Sequence, residues 1–366
     1  MYLKRFTRRE ILAAGVGLAA AGTACVGLRG DEAEGTSFSA DFFRLCDLAA
    51  REVNSPARKV PFYNDSYAVR ALGVAYDLEH DASHLDACKA WAERMIGFQQ
   101  EMIPAGAYYM NYGRKPGQGE GSWYVADSSS IALGVLATSV RCSDPTEKDR
   151  YLKSARSFAS LVMENFIGPD GGICNGHWPK FAGQWWCSSG IFGSLMFLLH
   201  RETDEARYLE VGLGAIDWLN RLDFQTAGPM TFEEMGATMP MYVLEAYSAA
   251  WPYLHPGSER FKAAVAQMDR ALTWMAEHQV GRGSTIVLDY GSQWESKIGG
   301  LPFHMLVYAR QVPGHEDLVA AADQELRHIA HTIEAQPQPG LPQLVVFTLM
   351  SLAERVSPGA IYRNSR

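Results

Sequence analysis

No apolar run in this 366-residue chain reaches the roughly 20 residues that span a bilayer, so a membrane-embedded protein is excluded. Low-complexity tracts are missing too. Apolar residues at 47% and charged residues at 20% are values of a globular chain. Basic residues are scarce, with 33 Lys and Arg against 41 Asp and Glu, and the resulting formal charge of -8 argues against a nucleic-acid partner. The six cysteines form no CxxC pair, which excludes a zinc ribbon. No nucleotide-binding loop occurs either. Pro169-Asp170-Gly171-Gly172 reads as a tight turn, and no cofactor or metal is expected.

What is present begins with an export signature. Lys4, Arg5, Arg8 and Arg9 precede an apolar stretch of about a dozen residues, Ile11 to Ala21, which small residues follow. Residues 1–24 are therefore expected to be a signal peptide, 25–39 a linker and 40–366 the folded domain. Loss of the signal takes the formal charge from -8 to about -11. Thr7-Arg8-Arg9-Glu10-Ile11-Leu12 resembles a twin-arginine signal, a route for chains that fold before they cross. Gly22-Thr23-Ala24-Cys25 resembles a lipoprotein cleavage box, so a lipid on Cys25 is the one membrane link the sequence offers. The periplasm or the exterior is the expected location. The remaining five cysteines, odd in number and irregular in spacing, are expected to be buried as small apolar residues.

From Ala40 onward two kinds of helical segment alternate. The first is amphipathic: Tyr151, Ala155, Phe158 and Val162 share a face while Lys153, Arg156 and Glu164 lie elsewhere. Like stretches fall near 41–53, 82–100, 205–222, 258–279 and 316–335. The second kind is apolar nearly all round, as in Ile131 to Ala137, Ile191 to Leu199 and Leu344 to Met350, with less pure versions near 66–78, 240–253 and 301–309. Such helices must be buried on every side. Six exposed and six buried segments in alternation predict an all-α (α/α)6 double barrel, because a helix pair of this kind cannot bury its own apolar face alone. An open solenoid is the rival, though its repeats are usually shorter and more regular.

The links are unequal. Those entering the buried helices are long and rich in Gly, Pro, Tyr and Trp, whereas those leaving them are a few residues, so a cleft is expected at the N-terminal ends of the buried helices. That mouth carries Asp65, Asp127, Glu233, Glu234, Asp289 and Glu295 among Tyr63, Tyr109, Tyr112, Trp123, Tyr124, Trp178, Trp185, Trp186, Tyr290 and Trp294. Rings that stack on sugar C–H faces and acids that move protons are the equipment of glycosidic chemistry. Rings that merely fill a barrel mouth are the plainer reading. Asp127, at the start of a buried helix, reads either as an N-cap or as a catalytic acid.

Val125-Ala126-Asp127 before an apolar helix, and Gly183-Gln184-Trp185-Trp186 leading into Gly190-Ile191-Phe192-Gly193, resemble the unsaturated glucuronyl and rhamnogalacturonyl hydrolases of the six-hairpin glycosidases. The resemblance implies that Asp127 is the general acid and base, protonating the double bond of an unsaturated uronic acid while water adds at the neighbouring carbon. It also implies that Gln184 and Trp186 line the sugar site. With Trp185, Trp123, Tyr124, His177, Trp178, Asp65 and Trp294 they make the expected oligosaccharide-binding set. An inverting hydrolase would pair Asp127 with a second carboxylate about 6.5 to 9.5 Å away, for which Glu234, Asp289 and Glu295 are the candidates. A polysaccharide lyase on the same toroid, using Tyr109, Tyr112, Asn111, Asn175 or His177, and a non-catalytic glycan-binding protein of the envelope are the alternatives. Trp186-Cys187-Ser188-Ser189-Gly190 resembles the zinc turn of lanthionine cyclases, but no cysteine follows Cys187 to complete a ligand set. His328 and His331 share a face of an outer helix and are expected to meet solvent.

Overall fold

Two kinds of helix alternate because two kinds of sequence do. A computed structural model describes residues 37–117, 121–176, 183–223, 238–278, 295–335 and 341–362. Its helices are α1 (Phe38–Glu52), α2 (Phe62–Glu79), α3 (Ala82–Gln100), α4 (Val125–Ser139), α5 (Pro145–Asn165) and α6 (Trp186–Thr203). They continue as α7 (Ala206–Asn220), α8 (Thr238–Ala250), α9 (Glu259–His278), α10 (Leu301–Gln311), α11 (Glu316–Ala335) and α12 (Gln343–Val356). Among the described residues no strand forms beyond isolated bridges, and no helix is long and apolar enough to cross a membrane. The export signal and Cys25 lie outside the described residues.

The even-numbered helices form the inner ring. Each packs on the next, α2 on α4, α4 on α6, α6 on α8, α8 on α10 and α10 on α12, and α12 returns to α2. The ring closes, as expected of a barrel and not of a solenoid. Odd-numbered helices lie outside and turn one stripe inward; in α5, Tyr151, Ala155, Phe158 and Val162 are buried while Lys153 and Glu164 are exposed. Four of the described cysteines, Cys46, Cys88, Cys142 and Cys187, are buried, and Cys174 is half-buried.

The two ends of the barrel are built differently. At the end where inner helices finish, the turns are local: His80 and Asp204 adopt left-handed φ of 56° and 57°, stopping α2 and α6, and Asp81 then caps α3 by accepting from Ser83 N–H at 2.8 Å. Asp144 caps α5 in the same way, with Pro145 in its first turn. At the other end, α2, α4, α6, α10 and α12 start at Pro61, Tyr124, Trp185, Gly300 and Pro342 without a side-chain cap of their own. N–H groups at their starts find partners elsewhere in the chain: Phe62 N–H donates to Met110 O, Val125 N–H to Asn175 O, and Phe303 N–H to Ser351 Oγ of α12. That end is the mouth.

A charged strut crosses the barrel's interior. Arg70 of α2 meets Glu245 of α8, three places round the ring, at 2.9 Å, with both side chains almost wholly buried. Tyr67 donates to the other Glu245 oxygen at 2.6 Å, and the Arg70 guanidinium lies 4.4 Å over the Tyr67 ring. From below, the Tyr362 hydroxyl donates to the Glu245 carbonyl at 3.4 Å.

Glu354 of α12 is a second buried carboxylate, at the far end from the mouth. It accepts from Gly359 N–H at 2.9 Å, and Arg310 lies 2.7 Å away. Burial outweighs these partners and pushes its carboxyl from 4.5 up to about 7. Between those values the folded chain holds a proton that the unfolded chain has lost, so this group's contribution is full below about 4.5 and disappears as pH rises through about 7. Urea midpoints of the parent, compared with Glu354→Gln, should show the parent losing relative stability over that window by at most about 3 kcal/mol. Parallel pH profiles of the two proteins would contradict this.

Candidate active site

Asp127 is the one residue of α4 that is not buried. It occupies the third position of the helix, so the N-cap reading is corrected: the cap position is Tyr124, and the first N–H groups of α4 are satisfied from another loop. Asn175 Oδ1 accepts from Ala126 N–H at 3.1 Å and from the Ser188 hydroxyl at 2.7 Å, while the Asn175 carbonyl accepts from Val125 N–H at 3.2 Å. Asn175 thereby ties the starts of α4 and α6 together. Its amide oxygen is occupied by this structural work, which weakens its candidacy as a lyase residue.

Around Asp127 stand tyrosines drawn from other inner helices and from the loop that enters α4. Tyr63 is the second residue of α2, Tyr242 lies in the first part of α8, and Tyr112 and Tyr124 come from the long loop that enters α4. The charge of Asp127 reaches the phenol of Tyr112. Gln343, the first residue of α12, donates to Asn64 Oδ1 at 2.8 Å beside Tyr63 in the start of α2. Ring centroids of Tyr112 lie 6.5 Å from Tyr63 and 6.4 Å from Tyr124. Burial, and after it the charge of Asp127, holds the Tyr63 and Tyr112 phenols above their usual range; Tyr242 rises through burial first, then its tyrosine neighbours and Asp127. All three are hydroxyl donors at neutral pH. Among the described residues, Asp127 therefore has phenols for neighbours, the Tyr112 side chain being 40% exposed and Tyr124 half-buried.

Other predicted residues lie elsewhere. Asp65 is wholly buried, bonded by Arg58 through Nε at 2.7 Å and Nη2 at 2.5 Å, and Arg58 also donates to Leu341 O at 2.8 Å. Asp65 therefore joins the start of α2 to that of α12 instead of facing a ligand. Its carboxyl is raised, because burial exceeds the opposing pull of Arg58. Trp186 and Trp123 are 1% and 3% exposed, so both back the mouth from the core. Trp123 packs edge-on against Phe166 at 5.4 Å, and Trp186 packs against half-buried Trp185 at 5.1 Å. Gln184 is half-buried and donates to Asp170 and to Gly172 O, which braces the turn before α6. His177, Trp178, Glu234, Asp289 and Trp294 lie outside the described residues. So does the side chain of Glu295, whose backbone opens a 3-10 helix. His331 is exposed and His328 half-buried. Sequence reading missed Tyr242, Gln343 and Asn64. Their signal was polarity in the first turn of otherwise apolar helices.

Comparison with known proteins fits this architecture. No family model matches the sequence, and no curated protein matches it. A solved structure of a possible member of the GH105 family from Salmonella enterica superposes with TM-score 0.61 at 12% identity, covering 92% of this chain and 99% of that one. The unsaturated glucuronyl hydrolase of Bacillus sp. GL1 superposes with TM-score 0.59 at 10% identity, over 89% and 98%. The chain has the six-hairpin glycosidase fold. A polysaccharide lyase shares it, with TM-score 0.54 at 14% identity over 86% and 97%. At such identities the likeness shows the fold, and the six-hairpin scaffold alone does not choose between hydrolysis and elimination.

Proposed function

We propose that this chain is an exported carbohydrate-active enzyme of the glycoside hydrolase type, in which Asp127 is the general acid and base. The observation that carries the reading is the placement of Asp127: it is the one unburied residue of its helix, at the mouth of the barrel, where its charge is felt by the phenols of Tyr63, Tyr112 and Tyr242. A carboxyl beside protonated tyrosines can give a proton to the substrate and then accept one from water, while the exposed ring of Tyr112 and the half-buried ring of Tyr124 offer faces for sugar C–H groups. Asn175 and Gln184 would act from behind, by fixing the starts of α4 and α6. An oligosaccharide is the expected substrate, with an unsaturated uronic acid at its end as the first candidate.

Incubating residues 25–366 with a panel of saturated and unsaturated oligosaccharides, followed by mass spectrometry, tests the reading. Products that gain one water per bond cut support hydrolysis. Products with a new C=C absorbance and no added water would favour a lyase, and binding without turnover would favour a glycan-binding protein.

Export is the other half of the proposal. Changing Arg8 and Arg9 together to Lys should leave precursor in the cytoplasm, read by fractionation and immunoblot; an unchanged periplasmic yield would assign the protein to another route.

A further inference from the structure

The chain turns back on itself where α12 ends. Across Ser357-Pro358-Gly359-Ala360 the Ala360 N–H donates to Ser357 O at 3.0 Å, and proline at the second place with a glycine of φ 80° at the third is the pattern of a type II turn. Glycine is required there twice over, since a Cβ on Gly359 would also stand 2.8 Å from Arg310 Nη1. After the turn, Ala360, Ile361 and Tyr362 form one 3-10 turn, and all three are buried.

This short segment is held from every side of the inner ring. Gly359 N–H donates to Glu354 Oε2 of α12 at 2.9 Å, and Arg201, in the last turn of α6, donates to Tyr362 O. The Tyr362 hydroxyl donates to Glu245 O of α8 at 3.4 Å, while its ring lies edge-on to Phe303 of α10 with centroids 5.6 Å apart. Toward α2 and α4, Ile361 and Tyr362 share with Arg70, Leu133 and Leu136 the walls of a cavity of about 10 Å³, which Leu198 of α6 also lines. That is room for about one water molecule. Six helices set in a ring leave a central gap at each end. At one end the gap is the mouth; at the other, these side chains fill it.

We propose that residues 357–362 are a stopper: the C-terminal segment seals the end of the barrel opposite the mouth, keeps bulk water from the Arg70–Glu245 pair, and makes the mouth the one way in. The role holds whatever reaction the mouth performs.

Hydroxyl-radical footprinting of residues 25–366, read residue by residue by mass spectrometry, tests this with a probe the size of water. In the parent, Leu133, Leu136 and Leu198 should stay unlabelled. Tyr362→Ala takes the ring out of the gap, and labelling of these three leucines should rise severalfold while Trp186, buried at the mouth end of α6, keeps the parent level. Where Tyr362→Ala does not fold, Ile361→Ala makes a smaller opening in the same wall and is read in the same way. Leucines that stay unlabelled in a folded variant would overturn the proposal, because other groups would then close the base. A rise that Trp186 shares equally would overturn it too, since the segment would then only stabilise the fold at large.

Discussion

Asp127→Asn is expected to lower kcat by at least about 100-fold while leaving oligosaccharide affinity nearly unchanged. The amide keeps the shape of the carboxyl, but it has no proton to exchange at neutral pH. Folding should be unaffected, because Asp127 is not the cap of α4; Asn175 satisfies the N–H groups of Val125 and Ala126 whatever stands at position 127. Initial rates on any substrate of the parent, with thermal melts of both proteins, decide the matter. A variant that melts like the parent and turns over at the parent rate would reduce Asp127 to a surface residue at a helix start.

Glu245→Leu should destabilise the fold by about 3–5 kcal/mol, the cost of leaving one member of a buried ion pair alone. The change strands the Arg70 guanidinium and the Tyr67 hydroxyl inside the barrel, where Glu245 is their shared partner. Arg70→Met combined with Glu245→Leu should recover most of the loss, since an apolar pair removes both desolvated charges together. Urea midpoints for the parent, both single variants and the double variant close the cycle. If Glu245→Leu costs under about 1 kcal/mol, the strut is not a cross-barrel support.

The ring of helices was legible because burial writes itself into composition. Ile191 to Leu199 is apolar on every side and lies buried throughout, while the alternation of Tyr151, Ala155, Phe158 and Val162 with Lys153 and Glu164 marks a helix with one wet face. The mouth was legible as a place, since long aromatic loops enter the inner helices and short capped turns leave them. Its chemistry was only half legible. Asp127 stood out as a carboxylate opening an apolar helix, but so did Asp65, and nothing near Asp65 in sequence says that Arg58 will neutralise it in the core. Trp123 and Trp186 fill the space behind the mouth because large rings are also the best core material, and composition does not separate the two uses. Gln343 and Tyr242 joined the site through contacts across more than a hundred residues, which local pattern does not encode. Arg70 and Glu245 did carry a local clue. A charged residue inside an apolar helix needs a partner, and each is the other's.

The most direct test of the account is a crystal structure of Asp127→Asn with an oligosaccharide that the parent protein degrades. The account predicts a sugar ring in the mouth, against Tyr112 and Tyr124, with the reacting bond within hydrogen-bond reach of the amide at position 127. A sugar bound with that bond out of reach of position 127, or bound away from the inner-helix starts, would contradict it.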